Sequence, residues 1–192
     1  EPEHEVVRKQ TLVFQVPRRV APIVIDGVLE RQEWFGANPE KTMIIQEGIG
    51  MERVSPRSFA WLAYDGDALY VAVDNAVSLS QPLSTTNTWG LDDAVEIAVR
   101  NQGAGVKAPI LVLRGYPNGS WEGSSESGAS EKAVKRAGQG VQFETGIPAP
   151  GQWVAEWRIP WASLGVDPEK DRRLQFNLSA RKAAEPVWVE WQ

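Results

Sequence analysis

The chain has 192 residues, a net charge of -5, nine tryptophans, one histidine and no cysteine, and this composition excludes several classes of function. No apolar run is long enough to cross a bilayer, the acidic balance argues against nucleic-acid binding, and without cysteine there is no disulfide, thiolate metal site or cysteine nucleophile. Tryptophan offers a large flat apolar face with an N–H at its edge, which suits sugar rings and their hydroxyls, so the composition favours binding over catalysis.

The length and the two ends of the chain bear on its organisation. A chain of this size suits a single β-sandwich or barrel, and we expect one domain over residues 1–192. Residues 1–10 are polar and lack the pattern of a signal peptide, while Trp191 and Gln192 close the sequence inside an apolar stretch. The chain is therefore expected to be either a mature product or a segment of a longer protein, and its abrupt end favours a segment excised from a larger protein.

Short alternating runs separated by turn residues recur along the chain and predict strands. The clearest runs are residues 59–64, 69–74, 94–100, 153–159 and 174–181. Between the first two, Asp65-Gly66-Asp67 predicts a tight hairpin with a positive φ at its Asp-Gly step. Within residues 153–159, Trp153 and Trp157 alternate with Glu156, which predicts one core face and one solvent face. This pattern indicates an all-β fold.

Two short helices and one long loop complete the pattern. Residues 29–35 and residues 161–164 are predicted as brief helices, and for the second, Pro160 suits a first helical position and Gly165 a C-terminal cap. Residues 115–140 are rich in glycine, serine, asparagine and charge, which predicts a long hairpin tip or mobile loop. Neither helix is long enough to organise the fold.

Three stretches in the first half of the chain carry a resemblance to a known family. They are residues 22–30 (PIVIDGVLE) followed by Trp34, residues 63–71 (AYDGDALYV), and Trp89 with residues 92–97 (DDAVEI). The second half adds residues 157–164, 176–178 and 188–191. In this order and spacing, the stretches resemble the family 9 carbohydrate-binding modules.

The resemblance implies a fold and a class of function. Members of that family are two-sheet β-sandwiches without catalytic activity, carried as accessory domains of secreted glycoside hydrolases or of other surface proteins, often with structural calcium. We therefore expect an all-β, two-sheet antiparallel β-sandwich with one or two short helical turns. The expected partner is a polysaccharide or oligosaccharide, the expected location is extracellular, cell-surface or periplasmic, and the expected state is a monomer tethered to other domains.

The resemblance also points to site residues. Family members of known specificity hold a terminal sugar between two tryptophans on loops, and the first of these matches Trp89. The family carboxylate that bonds sugar hydroxyls matches Glu96, and we expect Arg114 to add further hydrogen bonds. The structural alternatives are a Trp89 ring folded over the end of the sandwich and a pairing of Glu96 with Arg100.

Two further tryptophans are candidates for a second wall of the site. Trp121 stands in the polar segment 118–123, a setting similar to that of Trp89, and is a candidate to flank the sugar. On the last predicted strand, alternation sends Trp188 and Trp191 to opposite faces or nearly so. The pattern leaves open which of them is outside, and Trp191 is included among the candidate binding residues.

Aspartates in turns and at strand starts are the candidate metal ligands. Asp65, Asp67 and Asp92 are hard oxygen donors of the kind that calcium requires, and they are the candidates for a structural calcium site. Calcium takes six to eight oxygens, and the chain has no spaced loop such as an EF-hand. Ordinary turn aspartates are therefore the alternative.

The chain carries none of the common catalytic motifs, and we expect it not to be an enzyme. It has no Gly-x-Ser-x-Gly elbow, no His-Glu-x-x-His helix and no phosphate loop. A conventional triad would have to recruit His4 from the polar terminus. Paired carboxylates such as Glu96 and Glu190 are found in any acidic β-sandwich and do not by themselves indicate glycoside hydrolysis.

Two other functions are alternatives to carbohydrate binding. Related sandwich domains carry haem b and act in electron transfer, and Met43, Met51 and His4 are the candidate axial ligands for such a cofactor. The second alternative is a structural or interaction module of a surface protein without a small ligand. A rigid, covered Trp89 would favour that alternative. The fold alone does not decide among these functions, because function depends on the residues of the site.

Overall fold

The computed structural model describes residues 12–34, 42–48, 50–105, 107–171 and 173–191. Within these ranges the chain forms ten strands and three short helices, with one turn of 3-10 helix at Gln102–Ala104. In chain order the elements are α1 (Arg31–Trp34), β1 (Met43–Gly48), β2 (Arg53–Tyr64), β3 (Ala68–Ala76), β4 (Ala94–Asn101), β5 (Leu111–Gly115), β6 (Trp121–Ser124), α2 (Glu131–Ala137), β7 (Gln142–Ala149), β8 (Gln152–Pro160), α3 (Trp161–Leu164), β9 (Leu174–Lys182) and β10 (Val187–Trp191). The five predicted runs lie within β2, β3, β4, β8 and β9. None of the helices in the described ranges combines the length and the apolar character needed to cross a membrane.

The ten strands form one antiparallel sheet that folds back on itself into two packed layers. The strand order is β6-β5-β4-β9-β10-β1-β2-β3-β8-β7. We call β6-β5-β4-β9-β10 the front layer and β1-β2-β3-β8-β7 the back layer. At Gly115 of β5 the layers approach so closely that a Cβ atom would lie 2.5 Å from the rings of Phe143 and Trp157 in the back layer. The predicted two-sheet antiparallel β-sandwich is confirmed, and hydrogen bonds between β10 and β1 join its layers along one side.

The space between the layers is filled by the side chains that strand alternation assigns to the core. Ile97 and Leu178 from the front layer, and Trp153 and Trp157 from the back layer, are all 0% exposed. A second apolar cluster lies on the outer face of the back layer, around Trp61. The segment before α1 covers this face with its own apolar side chains, so the back layer is buried on both sides.

Glu156 is buried, which contradicts the solvent face predicted for it. It is 0% exposed on the outer face of the back layer, beneath the segment that crosses this face. Its carboxylate accepts hydrogen bonds from the backbone N–H groups of Asp26 (3.1 Å) and Gly27 (2.8 Å) and from the Trp34 indole N–H (2.8 Å). Gly27 has a φ of +81°, and a Cβ there would lie 2.4 Å from the Thr145 carbonyl oxygen, so the position requires glycine. Burial raises the pKa of Glu156 in spite of the hydrogen bonds, which lower it.

The hairpin between β2 and β3 is confirmed, although its backbone conformation differs from the prediction. Gly66 is not among the described residues that have a positive φ. Instead, the carboxylate of Asp65 accepts hydrogen bonds from the backbone N–H groups of Asp67 and Ala68, both at 2.9 Å. An aspartate that bonds the backbone in this way closes the turn without a left-handed residue.

Residues 115–140 contain regular structure, so the prediction of a long loop is wrong. Strand β6 pairs with β5 at the edge of the front layer, and α2 follows it. The side chain of Ser130 accepts a hydrogen bond from the backbone N–H of Ala133 and caps the start of α2. The composition of this stretch is typical of loops because β6 and α2 are both short.

The two predicted short helices are present, and their ends can be compared with the sequence signals. The first is limited to Arg31–Trp34, and residue 35 lies outside the described ranges. The second, α3, has the predicted bounds, but Pro160 is its N-cap rather than its first helical residue. Gly165 ends the helix in the left-handed conformation, with a φ of 66°, as predicted.

Candidate binding site

The outward face of the front layer, which we call the front face, carries a row of polar side chains. Glu96 on β4 lies directly opposite Arg114 on β5 and Ser179 on β9, and Ser179 lies opposite Glu190 on β10. Residues directly opposite each other in antiparallel strands point to the same side of the sheet. Val95, one residue before Glu96, points the other way and is fully buried in the core.

A second row on the front face brings two tryptophans together. Ala94, Arg181 and Trp188 lie directly opposite one another on β4, β9 and β10. The ring of Trp89, from the loop before β4, lies 4.6 Å from the ring of Trp188, measured between ring centroids, with 53° between the ring planes. Both residues are half-buried, so each is exposed to solvent in part.

The loop that carries Trp89 is fixed by the carboxylate of Asp92. This carboxylate is buried and accepts hydrogen bonds from the hydroxyls of Ser84 (2.5 Å) and Thr86 (2.8 Å) and from the backbone N–H of Thr88 (2.7 Å). Burial alone would raise the pKa of Asp92, but these hydrogen bonds outweigh burial and lower it. These hydrogen bonds restrain the loop, which spares a ligand part of the cost of ordering it.

Arg114 is surrounded by carboxylates on the front face. It is 5% exposed, its Nε lies 3.0 Å from Glu96 Oε2, its Nη2 bonds Glu126, and its Nη1 lies 4.0 Å from Glu122 Oε1. Its guanidinium carbon lies 3.4 Å from the ring centroid of Trp89, which is a cation–π contact. Burial alone would lower the pKa of Arg114, but the bonds to Glu126 and Glu96 raise it. Arg114 therefore stays charged and neutralises part of the acidic row.

Arg181 lies beside the tryptophan pair and forms no ion pair with any carboxylate of the described residues. It is 8% exposed, and its guanidinium carbon lies 5.8 Å from the ring centroid of Trp188. Its Nε forms no hydrogen bond, and the ion pairs of the described residues involve the cations Arg19, Arg114 and Lys170 instead. Arg114 and Arg181 thus differ sharply, because Arg114 is ion-paired and Arg181 forms no ion pair among the described residues.

The distance between the two tryptophan rings decides how a flat ligand can bind. A sugar held between two rings needs about 7–8 Å between them, twice the contact distance of carbon atoms. At 4.6 Å, the rings of Trp89 and Trp188 contact each other and leave no such space. A ligand must therefore stack on the outer side of the pair or separate the two rings. Asn177 and Glu190, joined by a 3.3 Å hydrogen bond on the same face, offer a donor and an acceptor nearby.

Three of the five predicted binding residues meet on the front face: Trp89, Glu96 and Arg114. Trp121 lies on the core side of β6, where its ring contacts Trp157 edge-on at 6.1 Å. Trp191 packs against the core and contacts Phe14 edge-on at 5.7 Å. The structure therefore does not bring Trp121 or Trp191 to the ring of Trp89.

Sequence reasoning misses Arg181 and cannot choose between the two tryptophans of β10. Alternation indicates that Trp188 and Trp191 point to different sides, but only the pairing of Trp188 with Arg181 across β10 and β9 shows which ring joins the front face. One sequence signal could have pointed to Arg181. It is separated from Asn177 and Ser179 by an even number of positions, and alternation assigns those two residues to the outer face of β9.

The aspartates predicted as calcium ligands are bonded to protein groups. Asp65 accepts hydrogen bonds from Arg19 and from the hydroxyl of Tyr70, and although burial opposes it, the pKa of Asp65 falls to about 2. Asp92 is bonded to its own loop, as described above. Among the residues that the structure describes, no three His, Cys, Asp or Glu side chains are grouped as ligands for a metal ion. Asp65, Asp67 and Asp92 do not form a common oxygen cage, and calcium binding stays a prediction from the sequence.

The candidate haem ligands do not share a site in the described part of the chain. Met43 is 1% exposed within the core, and Met51 is 68% exposed in the turn after β1. His4 lies outside the described residues. Neither methionine belongs to the front face.

Comparisons with known proteins agree with the fold. No protein-family model and no curated protein matches the chain. Two solved structures of a family 9 carbohydrate-binding module from Caldicellulosiruptor kristjanssonii, in complex with cellotriose and with glucose, each match with a TM-score of 0.63 and 18% sequence identity. The matches cover 93% and 92% of this chain and 83% of each of those chains. The chain therefore has the fold of these modules, as its sequence motifs predict.

Proposed function

We propose that the front face binds carbohydrate without catalysing a reaction. The observation that carries the proposal is the contact between Trp89 and Trp188 directly beside the ion-paired row of Arg114 and Glu96. Aromatic rings next to fixed polar groups match a sugar, which has apolar C–H faces and a rim of hydroxyls. The likeness of fold to modules solved with cellotriose and glucose supports this proposal.

Each group of the front face has a role in the proposed complex. The exposed side of the Trp188 ring, or the space that opens when it moves away from Trp89, receives the sugar ring. Glu96 accepts hydrogen bonds from sugar hydroxyls, and Arg114 holds Glu96 in place through the 3.0 Å ion pair. Asp92 keeps the Trp89 loop in position.

The affinity expected for such a site is modest. A disaccharide of about 23 heavy atoms at roughly 0.3 kcal/mol per atom gives about 7 kcal/mol, which corresponds to a dissociation constant of about 10 μM. Weak binding of this kind is useful in a domain tethered to others, because tethering raises the local concentration of whatever is attached. We propose such a tethered role, as an accessory domain at the cell surface, in the periplasm or outside the cell.

Calorimetric titration tests the proposal. The protein is titrated, with and without calcium, against glucose, galactose, xylose, cellobiose, xylobiose and a uronic acid. We expect saturable heat with at least one sugar, and a loss of affinity of about 30-fold or more in both Trp89→Ala and Trp188→Ala. Trp121→Phe and Trp191→Phe are matched controls because both rings lie on the core side, and they should bind as the wild type does.

A structural or interaction module is the second candidate, and one observation favours it. The ring of Trp89 is covered in part by Arg114 and Trp188, and its loop is held by Asp92. A covered ring suits a structural role as well as a binding role. No heat with any sugar at millimolar concentration would reject carbohydrate binding and leave this candidate.

A further inference from the structure

Arg181 is a largely buried cation that forms no ion pair among the described residues. The side chain is 8% exposed, and its Nε lacks a hydrogen-bond partner. Five other buried side-chain atoms of the described residues also lack one, but they belong to neutral or acidic side chains. An uncompensated buried charge is costly, and buried charges in folded proteins are normally paired. Arg181 therefore calls for a partner that the described part of the chain does not supply.

The carboxylates close to Arg181 in the sheet are committed to other groups. Glu96, one row away, forms its ion pair with Arg114. Asp93 directly precedes Ala94, the residue opposite Arg181. One of its carboxylate oxygens accepts a hydrogen bond from the backbone N–H of Ser84 and the other accepts one from the backbone N–H of Ala183, both at 2.9 Å. Neither carboxylate forms an ion pair with Arg181, and the charge of Glu96 is already paired with that of Arg114.

The position of Arg181 places it at the tryptophan pair. Arg181 lies between Ala94 and Trp188 in one cross-strand row, so its neighbour on one side is only a methyl group. On the other side, the ring of Trp188 lies 5.8 Å from the guanidinium carbon and contacts Trp89. A sugar stacked on Trp188 would have its substituents beside Arg181.

We propose that Arg181 binds the carboxylate of an acidic sugar, so that the preferred ligand of the front face is a uronic acid residue. This inference rests on the proposed function. A guanidinium forms two parallel hydrogen bonds with a carboxylate and pairs its charge, whereas the hydroxyls of a neutral sugar would leave the charge uncompensated. Displacement of the Trp188 ring, which lies 5.8 Å from the Arg181 guanidinium carbon and contacts Trp89, would open the space between the two rings beside Arg181.

The test compares acidic sugars with their neutral parents in variants of this one residue. Calorimetry at pH 7 measures glucuronate against glucose and galacturonate against galactose, for the wild type, Arg181→Lys and Arg181→Met. We expect the wild type to prefer a uronate by about tenfold or more, a smaller preference in Arg181→Lys, and none in Arg181→Met. Raising the salt concentration should reduce the preference of the wild type.

Thermal unfolding separates a binding role from a structural one. Arg181→Met breaks no ion pair between described residues, so the midpoint temperature of its thermal unfolding should equal or exceed that of the wild type. Arg114→Met is the matched comparison, because it leaves Glu96, Glu122 and Glu126 without their cation and should unfold at a lower temperature.

Four results would overturn the inference. If the wild type binds neutral sugars as tightly as uronates, or if Arg181→Met keeps the preference, Arg181 does not select the ligand, while the proposed function stands. If Arg181→Met lowers the unfolding midpoint as much as Arg114→Met does, Arg181 has a structural partner. If none of the four sugars gives heat, the inference fails, and the proposed function then depends on the titrations with xylose, cellobiose and xylobiose.

Discussion

Glu156 should be a major contributor to stability, because one carboxylate satisfies three buried or partly buried donors. In Glu156→Ala, the backbone N–H groups of Asp26 and Gly27 and the indole N–H of Trp34 all lose their acceptor. At about 1–3 kcal/mol for each unsatisfied donor, and less where water can enter, the expected loss is about 3–6 kcal/mol. The whole free energy of unfolding of a domain is about 5–15 kcal/mol, so this variant should be close to unfolding.

A second variant of Glu156 separates the contributions of the donors, and a variant of Glu144 serves as the control. In Glu156→Gln, the amide oxygen can still accept both backbone N–H groups, but the amide nitrogen faces the indole N–H of Trp34, so we expect a loss of about 1–3 kcal/mol. Glu144 lies directly opposite Glu156 on β7 and is exposed, so Glu144→Gln should change stability by less than about 0.5 kcal/mol.

Urea unfolding followed by tryptophan fluorescence measures these differences. The expected order of stability is wild type and Glu144→Gln together, then Glu156→Gln, then Glu156→Ala. A loss below about 1 kcal/mol in Glu156→Ala would show that water replaces the carboxylate easily. An equal loss in Glu156→Gln and Glu156→Ala would show that the charge, rather than the number of accepted hydrogen bonds, carries the effect.

Two further predictions concern the pH dependence of stability. The pKa of Asp65 is about 2 in the folded protein, below its value in the unfolded chain. The charged carboxylate therefore adds about 2 kcal/mol to the free energy of unfolding above pH 4, and this contribution disappears as the pH falls toward 2. Urea unfolding from pH 2 to 6 should therefore show Asp65→Asn less stable at pH 6 and equal to the wild type near pH 2; a constant difference would contradict this. Burial lowers the pKa of Lys182 to about 8, so between pH 8 and 10.5 the unfolded chain binds more protons and stability should rise with pH. Lys182→Met should lack this rise, and a wild-type profile that is flat over that window would refute the reasoning.

The strands were predictable because alternation is a property of consecutive residues. In β8, Trp153 and Trp157 enter the core, as the period of two requires. The same period cannot show what covers the opposite face. Glu156 occupies a position that is typical of a solvent face, and only the segment around Gly27, more than a hundred residues earlier, buries it.

The candidate site was predictable where a family motif marks it, and not where it depends on strand pairing. Trp89 and Glu96 lie in one short stretch that carries the resemblance. Arg181 and Trp188 come together only through the register of β9 against β10, which the sequence pattern does not specify. A strand as short as β6 likewise carries too few alternating residues to predict.

The most direct test of the central claim is to follow the tryptophan indole N–H signals by NMR while a sugar is added. Trp153 and Trp157 are 0% exposed and serve as internal references, because a ligand cannot reach them. The account predicts that the signals of Trp89 and Trp188 move in proportion to saturation while the references stay in place. Movement confined to Trp121 or to other indoles outside the front face, or no movement at saturating sugar, would contradict it.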